Sequence, residues 1–93
     1  MTIQSFKQIC EGRESLRVLW EDLAKTAFAY QAERLSLASS RVGNPEAPKP
    51  SSYVDKREAF VSTKDALVLQ CDKDGVELPE DLSAGATSRL YYV

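Results

Sequence analysis

Apolar residues in this chain recur at helical spacing along most of its length. From about Gly12 to Val42, the residues Leu16, Leu19, Trp20, Leu23, Ala24, Ala27, Phe28, Tyr30, Leu35, Leu37, Ala38 and Val42 fall on one side of a helical cylinder. Asp22, Lys25, Glu33, Ser36 and Ser40 face the other way. The pattern predicts an amphipathic helix of about 45 Å at 1.5 Å per residue. Gly43, suited to a left-handed C′ position, and Pro45, which cannot continue a helix, are expected to end it. Upstream, Ile3, Phe6, Ile9 and Cys10 also recur at helical spacing, and Ser5 with Gln8 fits a capping box. Gly12 either kinks one continuous helix or separates a short first helix from the long one. The pattern leaves both open.

The stretch GNPEAPKPSS, residues 43–52, breaks the periodicity, and its prolines favour a stiff extended connection. Pro45 and Pro48 form a PxxP string, but a rigid turn between helices is the commoner role of such a loop. A second helix is expected over about 53–73, with Ser52 as N-cap and Gly75 as C-cap. Within it a motif repeats every seven residues: Tyr53-Val54, Phe60-Val61, Leu67-Val68. Because ALVLQC is β-prone and DKDG suits a tight turn, a β-hairpin over 67–78 is the alternative. Pro79, Glu80 and Asp81 fit the first turn of a short helix through Leu82. SAGATS then reads as a flexible link to an extended apolar tail, RLYYV.

The two long segments match as an antiparallel pair. Facing residues in such a pair have a constant sum of residue numbers, and Tyr53 with Val42, Phe60 with Leu35, and Leu67 with Phe28 share one. These six residues are the expected seam of a coiled-coil-like hairpin. The expected fold is therefore all-α. It is a single small domain over 1–93: a helical hairpin, a short N-terminal helix or helix extension, and a tail over 83–93. In this register Cys71 faces about Ala24, and Cys10 lies beyond disulfide reach of it.

One partner helix covers only part of the first helix's apolar arc. Leu16, Leu19, Trp20, Leu23, Tyr30 and Leu37 are left needing other neighbours. Val54, Val61 and Val68 form a second stripe. Leu90, Tyr91, Tyr92 and Val93 either fold back over Leu16 to Leu23 or cross to another chain, and crossing is the favoured expectation. All thirteen are candidate partner-interface residues, because uncovered apolar surface usually marks a protein interface.

Chemistry adds little to this picture. The chain carries 12 Lys and Arg against 14 Asp and Glu, so direct nucleic-acid binding is not expected. It has no histidine, and Cys10 and Cys71 have no metal-ligand spacing, so neither zinc nor a cofactor is expected. QCDKDGVELPED resembles half an EF-hand loop, but Gln70, Glu77 and Pro79 stand where such a loop wants other residues. The serines lack an activating base, and no glycine-rich phosphate loop is present. Arg57 and Lys64 are expected to lie along the seam with their charges reaching solvent or pairing with Glu33 or Glu21. No apolar run approaches a membrane span, and the first ten residues do not read as a signal peptide. A cytoplasmic or virion location with reduced thiols is expected.

The reading that follows is a non-enzymatic assembly protein, a small helical subunit of a homo-oligomer or larger complex such as a phage head–tail or tail part. The alternative is a small inhibitor or adaptor, of phage or plasmid type, that blocks a larger host complex.

Overall fold

The computed structural model describes residues 1–90, and they form four helices with no strand among them: α1 (Ile3–Glu11), α2 (Glu14–Ser40), α3 (Ser51–Asp74) and α4 (Ala84–Arg89). α2 and α3 pack as an antiparallel hairpin, α1 returns along the start of α2, and α4 folds back onto α2 beside the start of α1. The result is a rod of 46 × 21 × 19 Å.

Local chemistry explains where the helices begin and end. Thr2 accepts a hydrogen bond from the Ser5 amide and caps α1, the role expected of Ser5. Arg13, with φ −117° and ψ 124°, is extended, so Gly12 marks a break between two helices and not a kink. α2 ends on Arg41 in a right-handed conformation, and no left-handed turn forms at Gly43. The Arg41 guanidinium instead donates two hydrogen bonds to the Ala47 carbonyl, which ties down the proline-rich connection. Pro50, not Ser52, precedes the first turn of α3. Gly75 takes the expected left-handed C-cap at φ 68°, and residues 67–74 are helical with no strand after them, so no hairpin forms over 67–78.

The hairpin register differs from the expected one by about five residues. Phe60 stacks on Tyr30, with ring centroids 5.7 Å apart, and not on Leu35. Thr26 and Thr63 share a hydrogen bond of 2.7 Å, and Ser15 donates to Asp74. The same register sets Leu23 opposite Leu67, both fully buried. The reason lies in α2, which carries two heptad series. Leu16, Leu23, Tyr30 and Leu37, reinforced by Trp20 and Ala27, form an a/d stripe, and this stripe faces inward. Phe28, Leu35 and Val42 form the other series. Leu35 is 61% exposed and Val42 87% exposed, while Phe28 borders a groove against α4. The inward choice also makes the ends of the hairpin level. Ser15 meets Asp74 at one end and Glu33 meets Ser52 near the other, so α2 does not overhang its partner.

The core gathers Phe6, Cys10, Leu16, Trp20, Leu23, Ala27, Phe60, Leu67, Cys71, Leu82 and Ala84. Phe6 meets Trp20 edge to face at 5.9 Å. Cys10 and Cys71 are both fully buried in this one cluster, so the wide separation expected of them is corrected by the return of α1. The largest departure is SAGATS. Ser83 accepts from the Ala86 amide and opens α4, in which Thr87 is fully buried and Ser88 nearly so. No helical turn forms at Pro79 to Leu82; the chain there is irregular, with a bend at Glu80.

Candidate functional site

Most of the residues expected to be uncovered are inside the monomer. Leu16, Trp20, Leu23 and Leu37 are buried, and Leu19 and Tyr30 are half-buried against the core. The physical reason is that α1, α3 and α4 share the wide apolar arc of α2, so the hairpin partner does not cover it alone. Leu90 also packs against the core, at a groove of about 480 Å³ that Trp20 and Ala24 line on α2. Leu90 thus takes the fold-back position at this groove and does not reach away from the chain. Tyr91, Tyr92 and Val93 lie outside the described residues. Around that groove charges of both signs alternate, Lys7, Arg17 and Lys25 with Glu11 and Glu21.

The outer face of α3 is different. Val54 and Val61 are 39% and 43% exposed, and Val68 is half-buried at the end of the same line. Leu69 and Leu78 extend the apolar surface at 57% and 38% exposure. An acid follows each valine by one helical turn: Glu58, Asp65 and Asp72. Val68, Leu69, Val76 and Leu78, with Asp65 and Asp72, bound a shallow depression of about 420 Å³. A second depression continues from it along the helix past Asp65, Val61 and Arg57. The valine stripe was legible as a seven-residue repeat; the acids that travel with it have the same period and carry equal signal.

Titration chemistry gives no reactive centre among the described residues. Burial pushes the Cys10 thiol up to about 12, with the neighbouring Cys71 adding to the rise. Burial likewise raises Cys71, and Asp74 adds to it. Both thiols are free and poor nucleophiles in this setting. Tyr30 and Tyr53 share a hydrogen bond of 3.3 Å, which holds the first phenol above its ordinary value and the second below it. Hydrogen bonds from Ser15 and Gln70 hold Asp74 low, and those from Ser83 hold Asp81 low. These two acids, which the EF-hand likeness would need as ligands, are engaged in capping and inter-helix bonds. No group of three acids, cysteines or histidines converges among the described residues. No described helix is long and apolar enough to cross a membrane. Compared with protein-family models, curated proteins and solved structures, the chain matches none.

Proposed function

We propose that this protein is a non-enzymatic helical subunit that joins a larger protein assembly through the outer face of α3. One observation carries the reading: among the described residues, an apolar stripe on the outer face of α3 stays exposed although the chain buries a core of its own. Val54 and Val61 are more than a third exposed on that stripe, and Leu69 and Leu78, beside its far end, are exposed to a similar degree. A two-helix rod is suited to present such a stripe without distortion, because the half-buried Thr26–Thr63 and Tyr30–Tyr53 bonds fix the helix register. A virion head–tail or tail part is the kind of assembly this shape would serve.

The test is the mass of the protein in solution, by light scattering over a concentration series, for the wild type and for Val61→Asp. Association by the wild type that is weakened in the variant supports the reading. Stoichiometric capture of one host enzyme, with loss of that enzyme's activity and no self-association, would replace it with the inhibitor reading.

A further inference from the structure

We infer that the occupant of the α3 face is a second copy of this chain, with the two α3 helices side by side and parallel. This deepens the assembly reading and rests on it. The argument comes from the charges that flank the stripe. At 100° per residue, the three valines lie within about 20° of one line, with Arg57 and Lys64 about 40–60° to one side and Glu58 and Asp65 about 40–60° to the other. The residues bounding the surface at Val61 fit this placement, since Arg57, Glu58 and Asp65 all border it. The stripe therefore has a basic flank and an acidic flank over its first two repeats. In the third repeat Cys71 takes the basic position and turns into the core, and Leu69 and Leu78 enlarge the apolar surface there.

Two identical helices can pair about such a stripe in two directions. In a parallel twofold pair, the right flank of one helix meets the left flank of the other. Glu58 then lies level with Arg57 of the second copy, and Asp65 with its Lys64, within one residue of axial rise. The twofold axis repeats both pairs. In an antiparallel pair, acid meets acid and base meets base. The surface is thus self-complementary in one direction and self-repelling in the other. The valines supply the contact, and the charges set the direction, as expected for exposed ion pairs of low individual strength. α2 packs on the flank of α3 away from the acids, so Val54 and Val61 stay exposed, while Val76 and Leu78 border Val68 at the far end of the stripe.

The experiment uses the full chain in sedimentation velocity across a concentration series, with circular dichroism confirming that each variant is folded. The wild type is expected to form dimers, and Val61→Asp to raise the concentration needed by about tenfold or more. Glu58→Lys with Asp65→Lys makes both flanks basic, and Arg57→Glu with Lys64→Glu makes both acidic. Each double variant alone is expected to lose self-association, and an equimolar mixture to regain it. Direction is read by mild oxidation of Val54→Cys. A parallel pair sets residue 54 beside its own copy and yields a disulfide-linked dimer from this variant alone. An antiparallel pair links only a mixture of Val54→Cys with Val68→Cys. The buried native thiols, tested in the wild type, stay silent. A protein that associates but ignores Val61→Asp and both charge reversals would overturn the α3 pairing and leave the assembly reading standing. So would linkage only in the mixed cysteine experiment. A wild type that stays monomeric at every concentration and captures no structural partner would overturn both.

Discussion

Leu23 and Leu35 sit twelve residues apart on α2 and offer a test of the helix register in a single side chain. Leu23 is fully buried opposite Leu67, whereas Leu35 is 61% exposed. Truncating each to alanine removes the same three carbons from very different surroundings. At Leu23 the loss combines the transfer free energy of the side chain with the cavity left behind, and helices held on three sides relax little. The expected cost is about 3 kcal/mol, within the usual range for buried leucine. At Leu35 most of the side chain is already in water, and about 0.5 kcal/mol or less is expected. For a domain of this size each kcal/mol lowers the melting temperature by roughly 4–8 °C, so Leu23→Ala should fall by at least about 12 °C. Leu35→Ala should stay within about 4 °C of the wild type. Thermal and urea unfolding followed at 222 nm, at a concentration where the protein is monomeric, measures both. The rival register, with Leu35 against Phe60, predicts the reverse order. Equal losses, or a larger loss at Leu35, would refute the packing described here.

Other outcomes follow from the same structure. Phe6→Ala removes the edge-to-face partner of Trp20, and the tryptophan emission should shift to the red as α1 loosens, with a stability loss of about 3 kcal/mol. Gly75→Ala meets no atom within 4 Å, but it forces an alanine to φ 68°, so a loss of about 1 kcal/mol in urea unfolding is expected without a change in m-value. Ser83→Ala removes the cap of α4 and should cost about 1 kcal/mol, with faster amide exchange confined to residues 84–89. The Cys10 thiol, raised to about 12 from an ordinary 9.0, favours the folded state only while it is protonated. Its contribution is therefore complete below pH 9 and is lost as pH rises towards 12. Stability should decline across that window, and Cys10→Ala should flatten the decline.

Periodicity revealed the two long helices and the break between them, because a 3.6-residue repeat and a proline-rich interruption are local signals. It also identified Tyr53, Phe60 and Leu67 as the inner face of α3. It did not decide between the two heptad series of α2. Both Leu16-Leu23-Tyr30-Leu37 and Phe28-Leu35-Val42 are apolar at intervals of seven, and either can be aligned with α3 by sliding the partner. What separates them is that Trp20 and Ala27 supply the a positions to the first series' d positions, while α1 and α4 compete for the flanks. That competition is tertiary. The α4 segment was hidden for a related reason. SAGATS is small and polar, the composition of a linker, yet small side chains are what let a short helix lie close against α2 with Thr87 and Ser88 inside. The stripe on α3 was legible, since its valines recur regardless of what surrounds them. Assigning the α2 stripe to an interface failed because burial depends on how many neighbours arrive, which spacing along one helix does not encode.

The level-ended hairpin also sets an order in time. α2 and α3 meet across a connection of ten residues, so their first contacts close a short loop at low entropic cost. α4 docks on α2 across the whole length of α3 and gains its buried surface only from a face already built. Folding should therefore begin at the Tyr30–Phe60 end, where the chain is shortest between partners, and finish with the small-residue helix. Mutations in α4 would then speed unfolding while leaving the folding rate almost unchanged. During refolding the hairpin would therefore stand formed, with its α3 face on display, before α4 closed.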